Sequence, residues 1–289
     1  MIIDLHSHDF PDEVAVRAMR VMCRQTEGVL WPSGDGTMTN HLDSMEKAGV
    51  DRAVLCQIAT KPRQWEFILK RSVAIMSGEL GARAQRMLIP FGSVHPEDPE
   101  AVRHVAEFAK AGVKGIKFHP YYQNFSLVDK KVLPIFRKIA DLGLVVECHS
   151  GGDVSWAKER GKCGPDEIAA LMDAVPDLKF VAAHLGGCFR YPSHATDVLL
   201  DRGVYIDTSS LAFRWHYDEE MRLLRSWPRD RILFATDFPW VDYGEAITHV
   251  RSIRDPADHA AIFAENACRI LRLGFFLKFA IDGRVGKMI

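Results

Sequence analysis

The sequence lacks the features that mark several other classes of protein. Its six cysteines form no C-x-x-C pair and lie far apart, which argues against a structural zinc knuckle and a disulfide framework. No apolar stretch approaches the roughly 18 residues that a membrane-spanning helix needs, and the first residues do not resemble a signal peptide. The net charge of -1 offers no overall attraction to nucleic acid or to an anionic membrane. We therefore expect a cytoplasmic protein that binds neither.

Motifs of two common enzyme classes are also absent. No G-x-G-x-x-G or P-loop follows the first apolar segment, which argues against an open nucleotide-binding sheet. No G-x-S-x-G occurs, so the sequence does not indicate a serine hydrolase. The chain also contains no Ser/Gly/Pro-rich linker, charge block or low-complexity tract. We therefore expect residues 1–289 to form a single domain.

Short apolar, β-branched runs recur along the chain at intervals of roughly 30 residues, the size of a βα unit. Each run is almost continuously apolar, as expected for parallel strands that are covered on both faces. Helical patterns separate the runs. This alternation predicts a (β/α)8 barrel, with a doubly wound open sheet as the alternative. The predicted strands span residues 2–8, 53–59, 87–95, 113–119, 144–149, 179–184, 204–208 and 231–237.

Two segments fall outside the predicted barrel. Residues 10–39 form a long excursion after the first strand, which we interpret as a lid or a loop at the rim. The apolar tail at 275–289 could cover the barrel floor or pack against another subunit, which makes a homo-oligomer a reasonable hypothesis. The predicted helices span residues 40–48, 63–80, 99–112, 129–142, 165–174, 194–201, 216–226 and 256–274.

Histidine and aspartate side chains stand at the carboxyl ends of four predicted strands. Alternation along the first strand places Asp4, His6 and His8 on one face, so two imidazoles can converge on one ion. Active sites of such barrels lie at the carboxyl ends of the strands. Imidazole nitrogens with a carboxylate suit Zn²⁺, Fe²⁺, Mn²⁺ or Co²⁺. The pattern predicts a divalent metal site from the strand-end residues His6, His8, His149, His184 and Asp237.

The segments "DLHSH", "ECHSGG", "AAHLGG", "ILFATDFPW" and "AENACRIL" together resemble the amidohydrolase superfamily. More narrowly, they resemble its amidohydrolase-related branch, which includes aminocarboxymuconate-semialdehyde decarboxylase. The resemblance covers residues 2 to about 272. It implies a distorted TIM barrel with one or two divalent metals, and either hydrolase or non-oxidative decarboxylase chemistry.

The resemblance assigns roles to the strand-end residues. It implies that His6, His8, His149 and Asp237 are the metal ligands, and that His184 is either a second-metal ligand or a proton-transfer group. Zinc is the expected metal, with one ion favoured over two. Asp237 is also a candidate for proton transfer.

Further inward residues have more than one interpretation. Asp4 could orient His6, and Glu147 could support His149 or be a buried carboxylate. Lys117 could be carboxylated and bridge two metals, bind a substrate anion, or pair with Glu147. His119 could be a ligand, a substrate contact or a structural residue at the rim.

Three residues on loops after the sixth and eighth strands are candidate substrate contacts: Arg190, Tyr191 and Trp240. An arginine offers a two-pronged contact for a carboxylate. The histidines on or beside predicted helices are expected to face solvent; they are His41, His104, His194, His216, His249 and His259.

The sequence favours a metal-dependent hydrolase that acts on an amide, lactone or similar bond of a small, anionic substrate through activated water. The alternative is a non-oxidative decarboxylase of an unsaturated or aromatic acid with the same metal site. Hydration of a C=C bond is a third variant. The hypothesis from another class is a metal-stabilised barrel that only binds a partner.

Overall fold

Eight parallel strands form the centre of the protein. The computed structural model describes residues 1–156, 161–187, 191–209 and 217–274. Every observed strand overlaps a predicted one, and most are shorter because the last residues of each run leave the sheet to form loops. The strands are Ile3–Ser7 (β1), Arg52–Cys56 (β2), Leu88–Phe91 (β3), Gly115–Phe118 (β4), Val145–Cys148 (β5), Lys179–Ala182 (β6), Tyr205–Asp207 (β7) and Ile232–Leu233 (β8).

Hydrogen bonds carry the parallel pairing around the whole circle. The ladders run in the order β1-β2-β3 and β4-β5-β6-β7-β8. Between β3 and β4, the Gly92 carbonyl accepts the Lys117 amide at 2.8 Å, and the Gly92 amide donates to the Gly115 carbonyl at 2.9 Å. Between β8 and β1, the Asp237 amide donates to the His6 carbonyl at 2.8 Å. The (β/α)8 barrel predicted from the sequence is therefore confirmed, and Asp237 and His6 are neighbours across its closing seam.

Side chains of the strands alternate between two apolar clusters. Residues such as Val145 and Val181 point inward, and residues such as Val146 and Phe180 pack outward against the helices. Apolar residues at 267–271, in the last helix, join the inner cluster and cover its amino-terminal end. Apolar side chains thus fill the amino-terminal end of the barrel interior, and the polar residues lie at the carboxyl ends of the strands.

Most predicted helices are present, and the described residues form four more that the sequence pattern did not predict. One occupies residues 12–25 of the excursion that we interpreted as a lid or loop, a second lies at 82–87 and a third at 243–253. The fourth is the short segment 183–187, which contains left-handed residues. Asp242 caps the third by accepting the Glu245 amide at 3.1 Å, a signal that is visible in the sequence. The α-helices are Asp12–Gln25 (α1), Met38–Ala48 (α2), Gln64–Ser77 (α3), Ala82–Met87 (α4), Ala101–Lys110 (α5), Leu133–Asp141 (α6), Pro165–Ala174 (α7), Ala183–Gly187 (α8), Tyr217–Ser226 (α9), Tyr243–Ile253 (α10) and Asn266–Leu271 (α11).

Other helical segments connect these elements. The single helix predicted over 256–274 is divided into a 3-10 turn, a π turn and α11. The tail at 275–289 lies outside the described residues. Within the described part, no helix combines the length and apolar character that crossing a membrane requires. The remaining segments are the 3-10 turns Val154–Trp156, Ser193–Arg202, Arg229–Arg231 and Pro256–Asp258 and the π turn Ala261–Glu265.

Phe136 on α6 packs against the barrel, so its substitution tests the contribution of this interface to stability. Its fully buried ring lies 5.0 Å from that of Phe118 on β4. We expect Phe136→Ala to lower the free energy of unfolding by about 3–5 kcal/mol, because it leaves a cavity in the outer core. Urea denaturation measures the change, with Phe67→Ala as the matched control because that phenylalanine is 54% exposed. Equal losses in both variants would contradict this account of the core.

Candidate metal centre

Three acceptor atoms face one another at the carboxyl end of the barrel: one from His6 on β1, one from His8 just after β1, and one from Asp237 after β8. His6 Nε2 and His8 Nε2 lie 3.1 Å apart. Asp237 Oδ1 lies 3.5 Å from the first and 3.2 Å from the second. The closing seam produces this proximity, because it fixes Asp237 to the backbone of His6.

The other ring nitrogens of this pair identify the tautomers. His8 Nδ1 lies 2.6 Å from the Cys56 carbonyl oxygen, which can only accept, so Nδ1 carries the proton. His6 Nδ1 lies 3.0 Å from Asp207 Oδ2 and donates to it in the same way. With Nδ1 as the donor, the Nε2 lone pair of each neutral ring faces the other ring and the Asp237 carboxylate. A cation between the three atoms would bind all of them.

His149 and His184 repeat this pattern beside the first pair. His184 Nδ1 donates to Ser209 Oγ at 2.8 Å, because the Ser209 hydroxyl itself donates to Asp207 Oδ1 at 2.6 Å. His149 Nε2 donates to the Gly152 carbonyl at 3.2 Å. His184 Nε2 and His149 Nδ1 are thus lone pairs that face each other at 3.0 Å. The His184 ring lies between the other two, with ring centroids 5.3 Å from His6 and 4.7 Å from His149.

Burial keeps these rings neutral. It is the main reason that the pKa values of His6, His149 and His184 lie well below the ordinary value, and neighbouring positive groups lower them further. Neutral imidazole is the form that binds a metal ion. Burial also raises the pKa of Asp237, against the opposing effect of its contact with His8.

Lys117 and Glu147 lie inside the barrel beneath His6. Lys117 Nζ is 2.8 Å from His6 Nε2 and 3.7 Å from Glu147 Oε1. Burial alone would lower the pKa of Lys117, but acidic groups including Cys56 and Glu147 more than offset it and raise that pKa. Burial, with the charge of Asp207, raises the pKa of Glu147 well above its usual range. Lys117 and Glu147 therefore form a buried pair against the His6 ring, with Lys117 Nζ 2.8 Å from His6 Nε2 and Glu147 Oε1 3.6 Å from His6 Nδ1.

Asp207 is the central residue that the sequence analysis missed. It ends β7 and accepts hydrogen bonds from the His6 ring, the His184 amide at 2.8 Å and the Ser209 hydroxyl. It therefore orients rings from two strands at once. The available signal was its place one residue before the end of the predicted strand 204–208, close to the strand-end places of His149 and His184.

The role expected for Asp4 differs from its contacts. The register of β1 against β2 shifts between Asp4 and Ser7, so the expected common face of Asp4 and His6 is wrong. The Asp4 carboxylate accepts the Thr236 hydroxyl at 2.7 Å and the His6 amide at 2.9 Å. Asp4 thus holds the backbone of the closing seam, and Asp207 holds the ring of His6.

Backbone strain is concentrated at the same place. His184 and Leu185 have φ values of 56° and 55°, and Asp237 has a φ of 60°, a region that side chains other than glycine rarely adopt. Gly187 continues the left-handed turn, and a Cβ there would lie 2.6 Å from the Gly151 amide nitrogen. The "AAHLGG" and "ECHSGG" segments therefore approach closely because of this glycine.

A cavity of about 610 Å³ adjoins the acceptor cluster. His119 lines it, stacked on His149 with ring centroids 4.1 Å apart and with its Nε2 3.4 Å from Asp153 Oδ2. Trp240 also lines it. Lys117 and Tyr191 are not among the described lining residues; Tyr191 packs instead against Gly164. Arg190 lies outside the described residues.

A family comparison agrees with this geometry. The family described as Amidohydrolase matches residues 3–273. The chain belongs to the amidohydrolase family. Comparison with curated proteins finds no match.

Solved structures share the fold of this chain at low sequence identity. An uncharacterized TIM-barrel protein from Bordetella bronchiseptica has 18% identity and a TM-score of 0.73, over 94% of this chain and 98% of that one. A 5-carboxyvanillate decarboxylase from Novosphingobium aromaticivorans, complexed with manganese, has 17% identity and a TM-score of 0.69, over 94% and 96%. A probable 2-pyrone-4,6-dicarboxylic acid hydrolase from Acinetobacter baumannii has 14% identity and a TM-score of 0.65, over 94% and 99%.

The amidohydrolase family binds divalent metal, and the donor set of this chain fits such an ion. Two imidazole nitrogens and a carboxylate oxygen lie 3.1, 3.2 and 3.5 Å from one another, so one cation could bind all three. Among the described residues, the groups of three donors within 4.8 Å of one another are His6–His8–Asp237, His6–His184–Asp207 and His119–His149–Asp153.

Three histidines outside the amidohydrolase centre correct an expectation. His41, His104 and His249 are buried, so their predicted exposure is wrong. His41 Nδ1 donates to Asp9 at 2.9 Å, and His104 Nδ1 donates to Asp98 at 2.6 Å. The Asp9 and Asp98 carboxylates make burial of the His41 and His104 rings favourable, and helical periodicity in the sequence does not reveal such partners. Of the other three, His194 is exposed, His259 is half-buried and His216 lies outside the described residues.

Proposed function

We propose that the protein is a metal-dependent, non-oxidative decarboxylase of a small organic acid. The observation that carries the proposal is the cluster of facing acceptor atoms beside a largely apolar cavity. A carboxylate that leaves as CO₂ loses its localised negative charge. Apolar walls that exclude water therefore destabilise the bound carboxylate more than the transition state for CO₂ loss. The decarboxylase among the structural relatives supports this reaction.

We assign His6, His8 and Asp237, whose donor atoms lie within 4.8 Å of one another, as ligands that would hold the ion. The family resemblance adds His149, which the structure groups with His119 and Asp153. A bound divalent ion would supply Lewis-acid charge for the substrate carboxylate or carbonyl. Imidazole and carboxylate donors suit zinc, which we place first, and manganese. Asp207 orients the His6 ring, and Lys117 Nζ lies 2.8 Å from its Nε2.

His184 and Asp237 are the groups that we assign to proton transfer. Both line the cavity, and the Ser209–Asp207 pair holds the His184 ring in one orientation. The new C–H bond formed after CO₂ leaves requires one proton, which His184 Nε2 or the Asp237 carboxylate would take up from solvent and then deliver to the carbon.

Hydrolysis is the second candidate function. Asp237 Oδ1 lies beside both imidazoles, as is needed for a base that takes a proton from an attacking water. The probable hydrolase among the structural relatives supports this alternative, which the sequence alone favours. Both reactions use one donor set, and the substrate decides between them.

Product analysis tests the proposal. Protein loaded with zinc or manganese is incubated with panels of aromatic and unsaturated acids, lactones and amides. We expect CO₂ release from acids, and loss of it in His184→Ala but not in the exposed control His194→Ala. Release of acid, alcohol or amine without CO₂ would replace decarboxylation by hydrolysis. Absence of any product with metal bound would refute the enzymatic proposal.

A further inference from the structure

The cavity has two chemically different ends. At one end it is lined by the acceptor cluster, together with polar residues such as His119 and Asp153. At the other it extends between α1 and α3 and is lined mainly by apolar side chains. These are Val14, Met22, Leu30, Phe67 and Ile68. A volume of about 610 Å³ lies within the range of roughly 300–1,000 Å³ of sites for drug-sized ligands, so the cavity has room beyond a carboxylate and one ring.

Apolar surface at the α1–α3 end is left open to solvent. Phe67 is 54% exposed and Val14 is 46% exposed, although both line the cavity. Met22 and Leu30 are half-buried. Exposed apolar groups at the edge of a cavity become buried when an apolar ligand covers them, which is the usual energetic reason for such a patch.

Charge at this end argues against a second anionic group on the ligand. Arg71 is the one Lys or Arg among the described lining residues. Its guanidinium is already paired with the buried Asp9 carboxylate and lies 3.5 Å from Gln57 Oε1. Glu13 lines the mouth and is exposed, so it would repel another carboxylate. The apolar end therefore favours an uncharged group.

We propose that the substrate is a monoanion with an extended apolar arm, an alkyl or aryl group that lies between α1 and α3. Val14 and Phe67 are the residues that set the preference for this arm. The inference rests on the proposed function in placing the carboxylate at the metal centre. It distinguishes this protein from its relative named for a dicarboxylic acid. It also gives the excursion after β1 a role, because α1 forms one wall of the arm's site.

A ligand series measures this preference without turnover. Zinc-loaded protein is titrated by calorimetry with benzoate and its 4-methyl to 4-hexyl derivatives, and with the dianion terephthalate. Each added methylene that enters the apolar end should tighten binding by up to about fourfold. Terephthalate should bind more weakly than 4-ethylbenzoate.

Two valines on one helix supply a matched pair of variants. Val14→Glu should abolish most of the gain with chain length, because it places a carboxylate where the arm lies. Val16→Glu should retain it, since Val16 is 56% exposed on the same helix and is not among the described lining residues. Phe67→Ser should reduce the gain, and thermal unfolding verifies that each variant folds.

The outcomes separate this inference from the proposed function. Binding that tightens with chain length supports the apolar arm even if no acid loses CO₂. Affinity independent of chain length, tighter binding of terephthalate, equal effects of the two valine variants, or no binding of any member would each overturn the inference. None of these results would by itself remove a decarboxylase activity measured on another acid.

Discussion

His8→Ala is expected to remove the bound ion and to lower turnover by more than about 100-fold. Loss of a residue that hydrogen-bonds a metal ligand typically lowers metal affinity or activity by about 10- to 100-fold, and we expect loss of a ligand itself to have a larger effect. The His8 Nε2 lone pair faces His6 Nε2 and Asp237 Oδ1, so its loss leaves two acceptors where three converge. Elemental analysis of the purified variant gives the metal content, and product formation gives the turnover.

The control for this experiment is an exposed histidine that is not part of the acceptor cluster. His194 is exposed in the 3-10 turn that follows α8, and His194→Ala should keep both metal and activity. Full metal content in the His8 variant would show that His8 is not a ligand. Full activity without metal would remove the basis of the whole site.

Asp207→Asn is expected to weaken metal binding by about 10- to 100-fold while the protein stays folded. The carboxylate accepts the Nδ1 proton of His6, which leaves the lone pair on Nε2. An amide can turn its NH₂ group toward Nδ1, which would favour the tautomer with the proton on Nε2, where it blocks an ion. Competition with a chelator measures the affinity.

Measuring both metal affinity and the free energy of unfolding shows whether Asp207 orients the His6 ring or only stabilises the fold. Asp230→Asn, on the exposed 3-10 turn before β8, is the matched control and should change neither quantity. If the Asp207 variant loses stability in the metal-free state but keeps its affinity for metal, then Asp207 supports the fold and does not tune the ligands.

Local pattern was sufficient to predict most of the barrel. The apolar runs identified all eight strands because strands covered on both faces need apolar residues throughout. Each feature that departs from the pattern has a physical cause. The register shift after Asp4 broke the expected alternation, and α1 lay in a segment interpreted as a lid or loop. The buried His41 was expected to face solvent because its partner Asp9 lies 32 residues away in the chain.

The amino-acid sequence alone was enough to predict the barrel, the family resemblance and the metal-binding side chains at the strand ends. Each of these depends on short-range periodicity and on which residues end an apolar run. Three-dimensional packing decided which donors face one another, which nitrogen of each ring carries its proton, and that Asp207 joins His6 to His184. It also decided that the cavity continues into an apolar space between α1 and α3. These features depend on distances between residues up to about 200 positions apart, and only the closure of the barrel brings such residues into contact.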